Sequence, residues 1–171
     1  MMKYIFKTLL IFFSFVGIGF SQSTPVDETT ITKIILVRHA EKADDGTKNP
    51  PLSEIGILRA EKLNTLLADI KIDSLYATPY KRTEQTLEIV SKKRNLKISN
   101  YNPSDKLFSE NLLKNKGKTM LVAGHSNTIP ALVNTLIKSN KFEQLAETEF
   151  GKIWILTFKN NEFIDCSLIT Y

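Results

Sequence analysis

Between positions 32 and 37 the chain, Lys33 apart, is mostly β-branched and apolar on both of the faces a strand would present. A short run without alternation predicts a central strand covered by helices on both sides. Positions 38–51 hold Asp44-Asp45-Gly46 and Asn49-Pro50-Pro51, turn formers that predict a loop. A helix then opens at Leu52-Ser53-Glu54 with Ser53 as its N-cap. Gly56, Ala60, Leu63, Leu67 and Ile70 follow on one helical face. The small residues come first, which lets the helix start lie close to a sheet. A turn over 69–73 leads to a short strand over 74–77, ending at Thr78-Pro79.

A second helix is predicted over 80–93, burying Thr83, Thr86, Leu87 and Val90. Its cationic end, Lys92-Lys93-Arg94, suits a helix C-terminus in solvent. A strand over 96–99, a loop over 101–118 holding a short helix at 106–113, and a strand over 119–123 follow. After Gly124-His125-Ser126, residues Ile129, Leu132, Val133, Leu136 and Ile137 mark an amphipathic helix, with Pro130 in its first turn, where a missing N–H costs little. Strands over 152–158 and 163–170, joined at Asn160-Asn161, form a hairpin. Strands thus alternate with helices until the hairpin. The expected fold class is α/β, a three-layer sandwich: a mainly parallel central sheet flanked by helices, with an antiparallel hairpin at the C-terminus. No repeat is visible, and 32–171 reads as one domain.

The N-terminus changes this picture. Lys3 and Lys7 precede an almost wholly apolar run over 9–20, then Gly19-Phe20-Ser21 and a polar stretch. This pattern predicts a signal peptide over 1–21, followed by a linker over 22–31. The run is short for a membrane span; an uncleaved anchor is the alternative. The expected location is periplasmic or secreted, without membrane attachment after cleavage. The net charge of +5 falls to +3 without Lys3 and Lys7, leaving 21 basic and 18 acidic residues. That is too weak to indicate nucleic acid but is compatible with an anionic substrate. The single cysteine, Cys166, lies in an apolar run and reads as a structural thiol, and Trp154 reads as a packing residue.

Both histidines of the chain follow predicted strands, His39 directly after Arg38 and His125 after Gly124. Arg82 begins the helix after the strand over 74–77. In open α/β sheets, sites form beyond the carboxyl ends of strands. Arginine presents a planar, permanently charged fork suited to phosphate oxygens. Helix N-termini add backbone donors, and histidine can act as a nucleophile through a free ring nitrogen. Two arginines beside the histidines would oppose a cation, so no metal and no cofactor are expected. Lys81 reads as a solvated neighbour.

Arg38-His39-Ala40, Thr78-Pro79-Tyr80-Lys81-Arg82-Thr83-Glu84-Gln85-Thr86 and Gly124-His125-Ser126 resemble the three signature motifs of the histidine phosphatase superfamily, which includes cofactor-dependent phosphoglycerate mutases. Pro51-Leu52-Ser53-Glu54-Ile55-Gly56 resembles the segment that opens that family's first helix. The resemblance implies that His39 is the nucleophile and becomes phosphohistidine, that Arg38 and Arg82 hold phosphoryl oxygens, and that a protonated His125 bonds the transferring group. It offers Ser53, Gly124 and Ser126 as further substrate-binding residues.

The chain departs from the family pattern in three places. Ala40 stands where glycine is usual. The mutases' glutamate-bearing segment has no match in 96–118, and Ser126 stands where another subgroup has aspartate. The general acid is therefore open among Glu41, Asp105 and Glu110. The chain most resembles the short phosphohistidine phosphatase-type members, which implies a phosphohydrolase acting on a phosphorylated small molecule or phosphoprotein; the predicted signal peptide makes it an exported one. A non-catalytic phosphate-binding module on the same fold and a phosphomutase are the alternatives.

Overall fold

The computed structural model describes residues 29–171, so the expected signal peptide and most of the expected linker lie outside the described residues. The chain order is β1 (Ile31–Arg38), α1 (Glu54–Leu66), β2 (Ser74–Ala77), α2 (Lys81–Arg94), β3 (Ile98–Asn100), α3 (Phe108–Lys114), β4 (Thr119–Gly124), α4 (Thr128–Ile137), β5 (Lys152–Lys159) and β6 (Glu162–Thr170). The first strand thus begins inside the segment read as linker.

These strands form one six-stranded sheet in the order β3-β2-β4-β1-β5-β6. The β3, β2, β4 and β1 strands are parallel, and β5 and β6 add antiparallel to them. β1 lies between β4 and β5, and alternate residues of its apolar run enter different cores. Ile34 and Leu36 join Met120, Val122, Ile129, Val133 and Trp154 on the α3/α4 side. Ile35 and Val37 join Leu63, Leu87, Val90, Leu121 and Ala123 on the α1/α2 side. All four β1 residues are fully buried, as a strand covered on both faces requires. The structure is therefore the three-layer α/β sandwich with a C-terminal antiparallel hairpin. The hairpin turns at Asn160 and Asn161, both with positive φ (52° and 70°). Two such residues define the hairpin turn whose twist matches its strands.

Three backbone bonds join neighbouring strand ends where the signature residues emerge. The His39 N–H donates to the Gly124 carbonyl at 2.8 Å, Thr78 N–H to Ala123 O at 3.4 Å, and Tyr101 N–H to Ala77 O at 3.0 Å. On the α1 side a single glycine permits close approach. A Cβ on Gly56 would stand 2.1 Å from the Glu41 carbonyl oxygen. Gly56, Ala60 and Leu63 are the buried residues of α1, so its small-residue face does lie against the backbone that follows β1.

Candidate active site

His39 is 5% exposed and emerges directly from β1. Its Nδ1 lies 2.7 Å from the Ala40 carbonyl oxygen. A carbonyl only accepts, so Nδ1 carries the hydrogen and Nε2 keeps its lone pair. Burial is the main reason its pKa falls to about 3; the Ala40 bond opposes the fall, and Arg82, His125 and Arg38 add to it. At neutral pH His39 is an uncharged imidazole with an available nitrogen. The Ala40 N–H donates to Thr86 Oγ at 3.0 Å, and that hydroxyl donates to the Arg82 carbonyl at 2.7 Å. Thr86, the last residue of the second motif, therefore fixes the turn that presents His39.

His125 rises from the neighbouring end of β4, its ring centroid 5.4 Å from that of His39. A chain of hydroxyls sets its tautomer. Thr83 Oγ lies 2.7 Å from the Thr78 carbonyl and 2.8 Å from that of Tyr80, so its proton goes to a carbonyl. Thr78 Oγ must then donate to Thr83 Oγ, at 3.1 Å. What remains for Thr78 Oγ is to accept from His125 Nε2–H, at 2.9 Å. Nδ1 is left as an acceptor, 3.5 Å from Arg82 Nη2. Burial first, then Arg82 and Arg38, lower His125 to about 4. Without a phosphoryl group in place, burial and the two arginines thus favour a neutral His125. A dianionic phosphoryl group would reverse part of that balance, because an adjacent opposite charge favours the imidazolium.

Arg82 stands at the start of α2, its guanidinium carbon 4.5 Å from the Tyr80 ring centroid. The Tyr80 ring also meets His125 edge-on, with centroids 5.0 Å apart. Arg38 is placed differently from a simple fork. Nη1 donates to the carbonyls of Ala146 and Glu149 at 2.7 and 2.8 Å, and Nη2 to the Glu147 carbonyl at 3.0 Å. Nη2 also meets the Glu147 carboxylate at 3.2 Å. Its guanidinium carbon lies 4.1 Å from the Phe150 ring centroid. Only the buried Nε–H has no hydrogen-bond partner among the described residues.

The weaker candidates separate clearly. The Ser53 hydroxyl accepts from Gly56 N–H at 3.1 Å and donates to Glu41 O at 3.2 Å, so it is spent on capping α1. A Cβ on Gly124 would fall within 2.9 Å of Tyr101, Ile129 and Thr128 side-chain atoms, and its carbonyl serves His39 N–H. Gly124 thus supports the site by its size and backbone. The Ser126 hydroxyl reaches Glu147 Oε1 at 3.2 Å, beside Arg38.

None of the three candidate acids meets the histidines or their arginines by a hydrogen bond. Glu41 is bound through both oxygens by Arg59, at 2.6 to 2.9 Å. Burial raises its pKa, but the Arg59 hydrogen bonds and charge outweigh burial and leave it lowered. Glu110 is exposed on α3. The Asp105 carboxylate accepts from Leu107 N–H at 2.9 Å. Asp105 lines a separate cleft of about 590 Å³ with Tyr101, Phe108, Asn127, Thr128 and Leu132. That cleft adjoins the site along the chain after His125, but Arg38, His39, Arg82 and His125 do not line it. Among the described residues, no three His, Cys, Asp or Glu side chains converge as metal ligands.

Glu147 and Phe150 were not legible as site residues. They lie in the connection between α4 and β5, which has neither periodicity nor motif. Its length was the one signal, since long connections in compact domains are often functional.

Fold and motifs define a class. Residues 34–102 match the family model of the histidine phosphatase superfamily, branch 1, which bears out the resemblance read from the motifs. Among solved structures the chain is similar to the protein histidine phosphatase SixA complexed with tungstate, at 20% identity and TM-score 0.64 over 81% of this chain and 96% of that one. It is also similar to phosphoserine phosphatase from Entamoeba histolytica in complex with 3-phosphoglyceric acid, at 16% identity and TM-score 0.62 over 82% and 98%. Phosphoglycerate mutase from Bacillus anthracis matches at 16% identity and TM-score 0.61 over 84% and 94%. At these identities the solved structures establish the fold. A search of curated proteins finds no match.

Proposed function

We propose that the protein is a phosphohydrolase that works through a phosphohistidine on His39. The observation that carries this reading is the pairing of a buried, neutral His39, whose Nδ1–H is fixed on Ala40 O, with two arginines and a second histidine. In the first step His39 Nε2 attacks phosphorus, and the bond from phosphorus to the leaving group breaks. The leaving group departs with the bonding electrons and takes a proton from solvent water. In the second step water attacks phosphorus and the P–N bond breaks, returning His39 and releasing inorganic phosphate. Arg82 and the Nε–H of Arg38 stabilise the charge on the transferring oxygens, and their charge supplies what a metal would otherwise provide. His125 gains its proton as the dianion arrives and then donates to it.

Among the described residues no carboxylate hydrogen-bonds to either histidine or to Arg82, which favours substrates whose leaving group needs little protonation, such as phosphohistidine or a phosphoanhydride. Together with the signal-like N-terminus, this suggests an exported enzyme acting on a phosphoprotein or small phosphorylated molecule. The purified protein should hydrolyse p-nitrophenyl phosphate with a chelator present, and His39→Ala should lower kcat by about a thousandfold or more. Quenched reactions with labelled phosphoester should leave acid-labile label on His39. Hydrolysis that survives His39→Ala, or that a chelator abolishes, refutes the mechanism. Phosphate binding without turnover or label would indicate a binding module.

A further inference from the structure

We propose that Glu147 is an internal anion, whose carboxylate holds donors that a phosphoryl group requires and which substrate must displace. The inference rests on the phosphatase reading above. Oε2 of Glu147 bonds Arg38 Nη2 and Oε1 accepts from Ser126 Oγ, both at 3.2 Å. Two candidate phosphoryl contacts are therefore bridged by one carboxylate. Its charge also reaches Arg82, whose pKa burial lowers and which the Glu147 charge partly restores.

The two partners differ in freedom. The Arg38 side chain is 2% exposed and that of Glu147 is 76% exposed. The carboxylate can therefore swing into solvent without unpacking anything, while the guanidinium stays in place. The loop also stays, because the carbonyls of Ala146, Glu147 and Glu149 hold Arg38 independently of the Glu147 side chain. Departure of the carboxylate leaves Nη2 with a hydrogen to give. Nε, whose hydrogen has no partner among the described residues, shares an edge of the guanidinium plane with Nη2. An arginine edge of this kind matches two oxygens of one phosphoryl group. A dianion with three oxygens outcompetes a carboxylate for that edge and for Ser126, whereas a small monoanion gains less. Glu147 thus discriminates for the dianion, at a cost in affinity.

The test is calorimetric titration of the full-length protein with inorganic phosphate, comparing wild type, Glu147→Gln, Glu147→Ala and Arg82→Ala. An ion pair whose carboxylate is solvent-exposed is worth up to about 1 kcal/mol, so both Glu147 variants should bind phosphate roughly three- to fivefold more tightly. Their KM for p-nitrophenyl phosphate should fall in the same direction. A merely structural role would weaken binding, so the sign decides. Unchanged or weaker binding in either Glu147 variant, with Arg82→Ala binding poorly, overturns the internal anion and leaves the phosphate site standing. Arg82→Ala binding phosphate as well as wild type overturns the phosphatase reading and this inference with it.

Discussion

At the scale of single residues, the site depends on where protons sit. His39 and His125 are opposite tautomers, one with hydrogen on Nδ1 and the other on Nε2, and each is fixed by an acceptor supplied from its own loop or the neighbouring motif. Thr78 is the link on which the second assignment turns. Replacing it by valine keeps the shape and removes the acceptor for Nε2–H. One neutral hydrogen bond is worth about 1 kcal/mol, so Thr78→Val should lower kcat/KM roughly fivefold. Ring ¹⁵N shifts of wild-type His125 should show hydrogen on Nε2, and a predominance of Nδ1–H would contradict the hydroxyl chain. The presence of these residues was legible, because all fall in the quoted motifs. Their hydrogen-bond order was not, since it depends on Thr83 Oγ finding two carbonyls after α2 has begun. Glu41 shows the opposite case: it adjoins the signature residues in sequence, yet Arg59 on α1 captures it.

At the scale of elements, apolar pattern proved a good guide. The run at 34–37 and the face Thr83, Thr86, Leu87 and Val90 are buried as the apolar pattern required. Close approach was also readable, in the small residues that begin α1. Gly56 is the point of closest contact, and Gly56→Ala forces its Cβ against the Glu41 carbonyl. Overpacking of this kind costs about 1–3 kcal/mol, and here the displaced backbone follows His39. Chemical denaturation should show that loss together with reduced kcat. Leu58→Ala, at a position 64% exposed on the same helix, should change stability by no more than about 0.5 kcal/mol. The connection from α4 to β5 defied pattern reading because its order comes from Arg38, more than a hundred residues earlier, and from no local periodicity.

At the scale of the whole molecule, burying two neutral histidines links stability to pH. Both have folded pKa values below the ordinary 6.5, at about 3 and about 4. Above pH 6.5 neither folded nor unfolded chain is protonated there, and the pair contributes no pH dependence. Between 6.5 and about 4 the unfolded chain binds protons that the folded chain refuses, so stability falls as pH falls. Each histidine contributes a slope of up to about 1.4 kcal/mol per pH unit. Below about 3 the folded chain binds them too, and this loss stops growing. Urea unfolding at pH 7 and pH 5 should show the decline, and His39→Gln with His125→Asn should flatten it. An equally steep decline in that double variant would assign it to other groups.

Arg38 joins two roles that are usually separate. Its Nε–H faces no partner among the described residues, and its other donors hold the 146–149 backbone. Under the proposed mechanism, a substitution there removes a ligand for the transferring oxygens and unfastens a surface segment in one stroke. Loss of activity in an Arg38 variant cannot be apportioned to chemistry by kinetics alone. The same coupling constrains sequence drift: the carbonyls of Ala146, Glu147 and Glu149 are anchored whatever side chains those positions carry, so the segment's length should tolerate change less than its composition.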